Sequence, residues 1–117
     1  MDRYHIHLYG PDRGPLPDDF ETVAGRLETI DRLYFEPDGS FVCSADGPRG
    51  QAFGMVYDAA GRVRYVEIRG SATAGTFGRI VAACGASDDA TVVRLPGGTV
   101  KTLQAFVAET FDGDAGR

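Results

Sequence analysis

Residues 51–68 read QAFGMVYDAAGRVRYVEI. Two runs rich in β-branched and aromatic residues flank Asp58-Ala59-Ala60-Gly61, and Gly61 suits the left-handed position of a tight turn. The stretch predicts a hairpin. A second hairpin lies just upstream, where RLYFE (32–36) and FVCSA (41–45) meet across Pro37-Asp38-Gly39-Ser40. There the proline presets φ, the aspartate tolerates the bridge region and the glycine supplies positive φ. Two tight hairpins in succession fold four strands into a meander, which commits the centre of the sheet to antiparallel pairing.

Tyr57-Asp58-x-x-Gly61-Arg62 resembles one unit of the tyrosine-aspartate repeats that build β-rich shells in bacterial surface and toxin proteins. Within the chain, FEPDGSFV (35–42) lines up with YDAAGRVR (57–64), Phe35 against Tyr57 and Gly39 against Gly61. A repeat architecture needs about three units to bury a shared face. Here there are two loose copies flanked by amphipathic helices, so the likeness is one of turn geometry.

Outward from the meander, RYHIHLY (3–9) alternates with period two. Tyr4, Ile6 and Leu8 share one face; Arg3, His5, His7 and Tyr9 share the other. GPDRGPLP is a loop. In DDFETVAGRLETI, Phe20, Val23, Ala24, Leu27 and Ile30 form a helical stripe, with Asp18 and Glu21 at capping-box spacing and Gly25 weakening the middle. Residues 71–84 place Phe77, Ile80, Val81 and Cys84 on one helical face, with Gly85 as the stop. TVVRL (91–95) is a short strand, and Thr99 is expected to cap a last helix with Val100, Leu103, Phe106 and Val107 as its stripe. The order is β-α-β-β-β-β-α-β-α. It predicts one two-layer α+β domain over residues 1–117, with an about five-stranded, mainly antiparallel sheet, helices packed on one face and a frayed tail over 111–117.

Composition bounds the function. Hydrophobic residues make up 43% and charged residues 25% of 117, which fits a single globular core. The opening MDRYHIHLYG has charges and histidines where a secretory leader needs an apolar run. No stretch approaches the roughly 18 apolar residues of a membrane span. The expectation is a soluble, cytoplasmic protein with no membrane partner. A net charge of −5 argues against nucleic acid as a partner. Only Lys101 among the 12 basic residues is lysine, as a GC-rich genome would favour, so arginine abundance alone does not mark an anion site. Cys43 and Cys84 are too isolated for a metal knuckle or a disulfide framework and read as small apolar residues.

His5-x-His7 is the sharpest chemical lead. On a strand, residues i and i+2 share a face, so both imidazoles can reach one cation. Metal hydrolases of the amidohydrolase type carry such a pair on their first barrel strand, and a similar YHxHxY strand opens small extradiol dioxygenases acting on catechols. This chain is too short for the barrel and has no third histidine, so Asp, Glu or Cys would have to complete the site, for example Glu36, Glu67 or Cys43 from neighbouring strands. A dyad of Cys43 with His5 or His7 would require those strands to be neighbours. LPGGTVKTL (95–103) is similar to a glycine-rich phosphate turn entering a helix, but lacks the phosphate-loop spacing.

The sheet face of His5, His7 and Tyr9, joined by Tyr34 and Arg64 if the register allows, mixes residue types suited to contact with a protein partner or a second copy. The leading expectation is a non-enzymatic interaction module without cofactor, of an inhibitor or immunity-like kind. The alternative is a divalent-metal-binding protein or small metalloenzyme with His5 and His7 as metal ligands beside a carboxylate.

Overall fold

A computed structural model describes residues 3–111 of the chain. The central hairpin forms as its sequence dictates. Strands β4 (Ala52–Ala59) and β5 (Arg62–Gly70) are joined by Ala60 and Gly61, both at positive φ, the paired left-handed conformation that matches strand twist in a two-residue turn. Strands β2 (Leu33–Phe35) and β3 (Ser40–Cys43) meet across Pro37-Asp38-Gly39, with Gly39 at φ 97° and the Asp38 carboxylate accepting from the Ser40 N–H at 2.9 Å.

Strand β1 (Tyr4–Tyr9) lies inside the sheet. With β6 (Thr91–Arg94) and β7 (Val100–Thr102) the spatial order is β2-β3-β4-β5-β1-β6-β7, and every neighbouring pair is antiparallel. The helices α1 (Phe20–Glu28), α2 (Ala74–Ala83) and α3 (Leu103–Thr110) cover one face. Tyr4, Ile6, Leu8, Val66, Ile68 and Val92 from the strands bury against Val23 and Leu27 of α1, Phe77 and Ile80 of α2, and Leu103 and Phe106 of α3. Each such buried side chain contributes roughly 1.5–3 kcal/mol. On the same side the ring of Phe41 lies across Gly54, its partner in the ladder. A Cβ there would stand 2.1 Å from the ring, so only glycine fits.

The α+β, two-layer architecture agrees with the sequence, with corrections. The sheet has seven strands rather than about five. The element order read from the sequence holds six of them, and the one it lacks is β7: Val100 belongs to this edge strand and is 54% exposed instead of starting a helical stripe. The last helix accordingly begins at Leu103, capped by Thr102, whose side chain accepts from the Ala105 N–H, and not by Thr99. Asp19, not Asp18, caps α1 by accepting from the Thr22 N–H at 2.8 Å, while Asp18 pairs with Arg26 at 2.6 Å. Phe111, assigned to the tail from sequence, is buried against Tyr4, Phe77 and Phe106. The remainder of that tail, 112–117, lies outside the described residues. No helix among the described residues is long and apolar enough to cross a membrane.

Candidate functional site

The face away from the helices is organised as three rows running across the strands, because antiparallel register places residues of one parity side by side. The first row is aromatic: Tyr57, Tyr65 and Tyr9 on β4, β5 and β1. Tyr57 and Tyr65 stack at 4.6 Å between centroids, Tyr65 and Tyr9 at 5.1 Å. The second row runs Met55, Glu67, His7 and Val93 on β4, β5, β1 and β6. The third runs Tyr34, Val42, Phe53, Arg69 and His5 from β2 to β1.

Glu67 is the residue that joins the rows. It sits directly opposite His7 and reaches diagonally to His5, where Nε2 lies 2.5 Å from Glu67 Oε2. Its other oxygen accepts from the Tyr57 hydroxyl at 3.4 Å. Ligand atoms of His5, His7 and Glu67 all lie within 4.8 Å of one another, and all three side chains are half-buried. Both strands are interior to the sheet, so the donors stand on rigid backbone.

The electrostatics favour metal-ready forms of Glu67 and His7. The hydrogen bond from His5 outweighs burial and holds the Glu67 carboxyl below its ordinary value. Burial lowers His7 despite the pull of Glu67, which favours neutral imidazole. Burial and the nearby Glu67 charge raise the Tyr57 and Tyr65 hydroxyls, so both stay protonated and able to donate.

At the β6 corner the turn at Pro11–Arg13 folds over the face. The Arg13 N–H donates to Thr91 Oγ1 at 2.9 Å, and its guanidinium stands 5.3 Å from the Tyr9 ring centre. Elsewhere the face is open.

His5, His7 and Tyr9 therefore stand together as the alternation of β1 requires. Tyr34 is on the same face but four strands away, about 19 Å at normal strand spacing. Arg64 is the extra residue of a β-bulge. Tyr57 pairs with Tyr65 and Asp58 with Val63, leaving Arg64 without a ladder partner. Of the proposed third ligands only Glu67 joins the histidines. Glu36 follows the edge strand β2, and Cys43 is buried in the helix-side core, which also removes the cysteine–histidine dyad. Cys84 is fully buried and its thiol is pushed up to about 12, so it is inert. The Leu95–Gly98 segment turns β6 into β7 and does not enter a helix, so it is no phosphate turn. Sequence reasoning missed Tyr65 and Arg69. The alternation of Tyr65, Glu67 and Arg69 against Val66 and Ile68 carried that signal.

No family model, curated protein or solved structure matches this chain.

Proposed function

We propose that the protein binds a divalent cation through His5, His7 and Glu67 on its open sheet face. The observation that carries this reading is the convergence of three potential ligand atoms, from two interior strands, within 4.8 Å. With ligand bonds of about 2.1 Å, adjacent donors stand roughly 3.0–3.4 Å apart around a metal. The His5–Glu67 contact must open slightly and the remaining separations close, which side-chain rotation accomplishes without moving either strand.

Two imidazoles and a carboxylate suit zinc or iron(II) and their neighbours. All three donors approach from the protein side, leaving the outward positions to water or a ligand. That is the pattern of sites that act on something rather than of closed structural sites. The ionised Glu67 and neutral His7 need no proton displaced before they bind.

The test is stoichiometry. Protein incubated with zinc, manganese(II) or cobalt(II), then dialysed, should retain one equivalent of at least one metal by elemental analysis, and His5→Ala and Glu67→Gln should retain little. At a free metal concentration a hundredfold above Kd, wild type should gain about 2.7 kcal/mol of stability. Substoichiometric retention by wild type overturns the reading.

A second reading, docking of a protein partner or a second copy on the same face, is favoured by the exposure of Tyr34 (63%), Phe53 (39%) and Tyr57 (36%) there. Sedimentation of wild type and Tyr57→Ala at high concentration tests its self-association form. A strict monomer in both removes that form.

A further inference from the structure

His5 also borders a second feature. Where β1 begins and β5 and β6 end, a cavity of about 400 Å³ opens, lined by Arg3, Arg69, Arg94, Phe53, Tyr4 and His5. Three arginines line this cavity in a chain whose net charge is −5. Among the described residues the ion pairs are His5–Glu67, Arg26–Asp18 and Lys101–Glu109, and none of the three arginines has a described carboxylate within 4 Å.

Aromatic rings position two of them instead. The Arg69 guanidinium stands 5.3 Å from the centre of Phe53, and that of Arg94 5.6 Å from Phe106. Such contacts fix the head without neutralising it. Arg69 lies opposite His5, on the open face, and Arg94 lies opposite Ile6, on the helix side. The arginines that line the cavity thus come from both faces at the sheet end. Each planar fork matches the oxygens of a carboxylate or phosphate, and a bound anion relieves the mutual repulsion of neighbouring cations.

We propose that this cavity binds the anionic oxygen group of a small ligand, carboxylate or phosphate, with the Phe53 ring as its apolar wall. The ligand's body extends along the face to the His5 side of the cation site. The anion site stands on its own residues, and only the ligand's contact with the cation rests on the function proposed above.

The test uses full-length protein stripped of metal with EDTA. It is titrated with inorganic phosphate and, separately, with benzoate, at constant ionic strength, and followed by calorimetry and amide chemical shifts. At least one probe should bind saturably at one site, with shifts at Arg3, Phe53 and Arg69. Arg3→Ala and Arg69→Ala should each weaken it by roughly five- to twentyfold, as loss of a charge-assisted contact does. Arg79→Ala, on the exposed side of α2, should leave it unchanged. The tighter probe assigns the head group. Non-saturable response to both probes, or saturable binding indifferent to Arg3→Ala and Arg69→Ala, overturns the proposal. Because metal is absent from this experiment, its failure leaves the cation site standing. Normal anion binding in a protein that retains none of zinc, manganese(II) and cobalt(II) removes the cation site alone.

Discussion

Strand β1 feeds two aromatic assemblies, one on each face of the sheet, and they follow opposite geometries. On the covered face Tyr4 meets Phe77, Phe106 and Phe111 with ring planes at 75°, 90° and 74°. On the open face Tyr57 lies at 21° to Tyr65, and Tyr65 at 27° to Tyr9. The buried rings arrive from a strand, two helices and the residue after α3, so edges meet faces around Tyr4, the arrangement ring quadrupoles prefer, while Phe77 lies tilted at 44° and 43° to Phe106 and Phe111. The open rings stand on adjacent strands of one sheet, whose spacing of about 4.8 Å sets them side by side. The first cluster is a product of layer packing and belongs to stability. The second is a product of register, with its ring faces turned to one another, Tyr57 exposed and Tyr65 and Tyr9 partly exposed.

The largest expected effect breaks the covered side. Phe77→Ala should cost about 3–5 kcal/mol in urea unfolding, because the fully buried ring leaves a cavity that its neighbours fill poorly. Tyr65→Ala on the open side should cost less than about 1 kcal/mol, the scale of a cross-strand pair. Comparable losses in the two variants would show that the open stack is part of the stabilising core and sink the division of roles.

A smaller effect sharpens it at the closest packing on the covered face. Gly54→Ala should destabilise by about 1–3 kcal/mol, since its Cβ would press into the Phe41 ring. Phe41→Leu in the same background should recover part of the loss if that ring is the obstacle, and no recovery would locate the strain elsewhere.

The smallest concerns Asp46, which tethers the loop before β4 to the start of α2. Its carboxylate accepts from the Thr73 N–H at 2.7 Å and from the Thr76 hydroxyl at 2.7 Å. Burial alone would raise this carboxyl, but the hydrogen bonds from Thr73 and Thr76 outweigh it and hold it below its ordinary value. A depressed folded value means the contribution is present above the unfolded pKa and is lost as pH falls through the folded one. Asp46→Asn should therefore cost about 1 kcal/mol at pH 7, with the gap to wild type closing in acid. A gap independent of pH between 7 and 3 would count against the ionised tether.

The meander was legible because its turns are local. Pro37-Asp38-Gly39 and Ala60-Gly61 specify their geometry within a few residues. The helices were legible from period, and two of their caps were misplaced because Asp18 or Asp19, and Thr99 or Thr102, offer equivalent side chains a few residues apart. The hairpin turn at Gly97-Gly98 decides between the two threonines, since it returns the chain as β7 before any helix starts. His5 and His7 could be paired from alternation, yet Glu67 was one of three candidate partners until β1 was known to lie beside β5. Arg3, Arg69 and Arg94 are scattered along the chain, and only the strand order gathers them.

That strand order has a kinetic consequence. The strands from β2 to β5 can zip through short turns, whereas β1 pairs with distant chain, and the His5–Glu67 contact spans 62 residues. Closing such a loop grows only logarithmically more costly with length, but the entropy is lost before any ladder bond between the two strands rewards it. Insertion of β1 between β5 and β6 is therefore expected late in folding, and uptake of the proposed cation during refolding is the measurement that would time it. A partly folded chain with an intact meander would present Glu67 and Arg69 with neither histidine beside them.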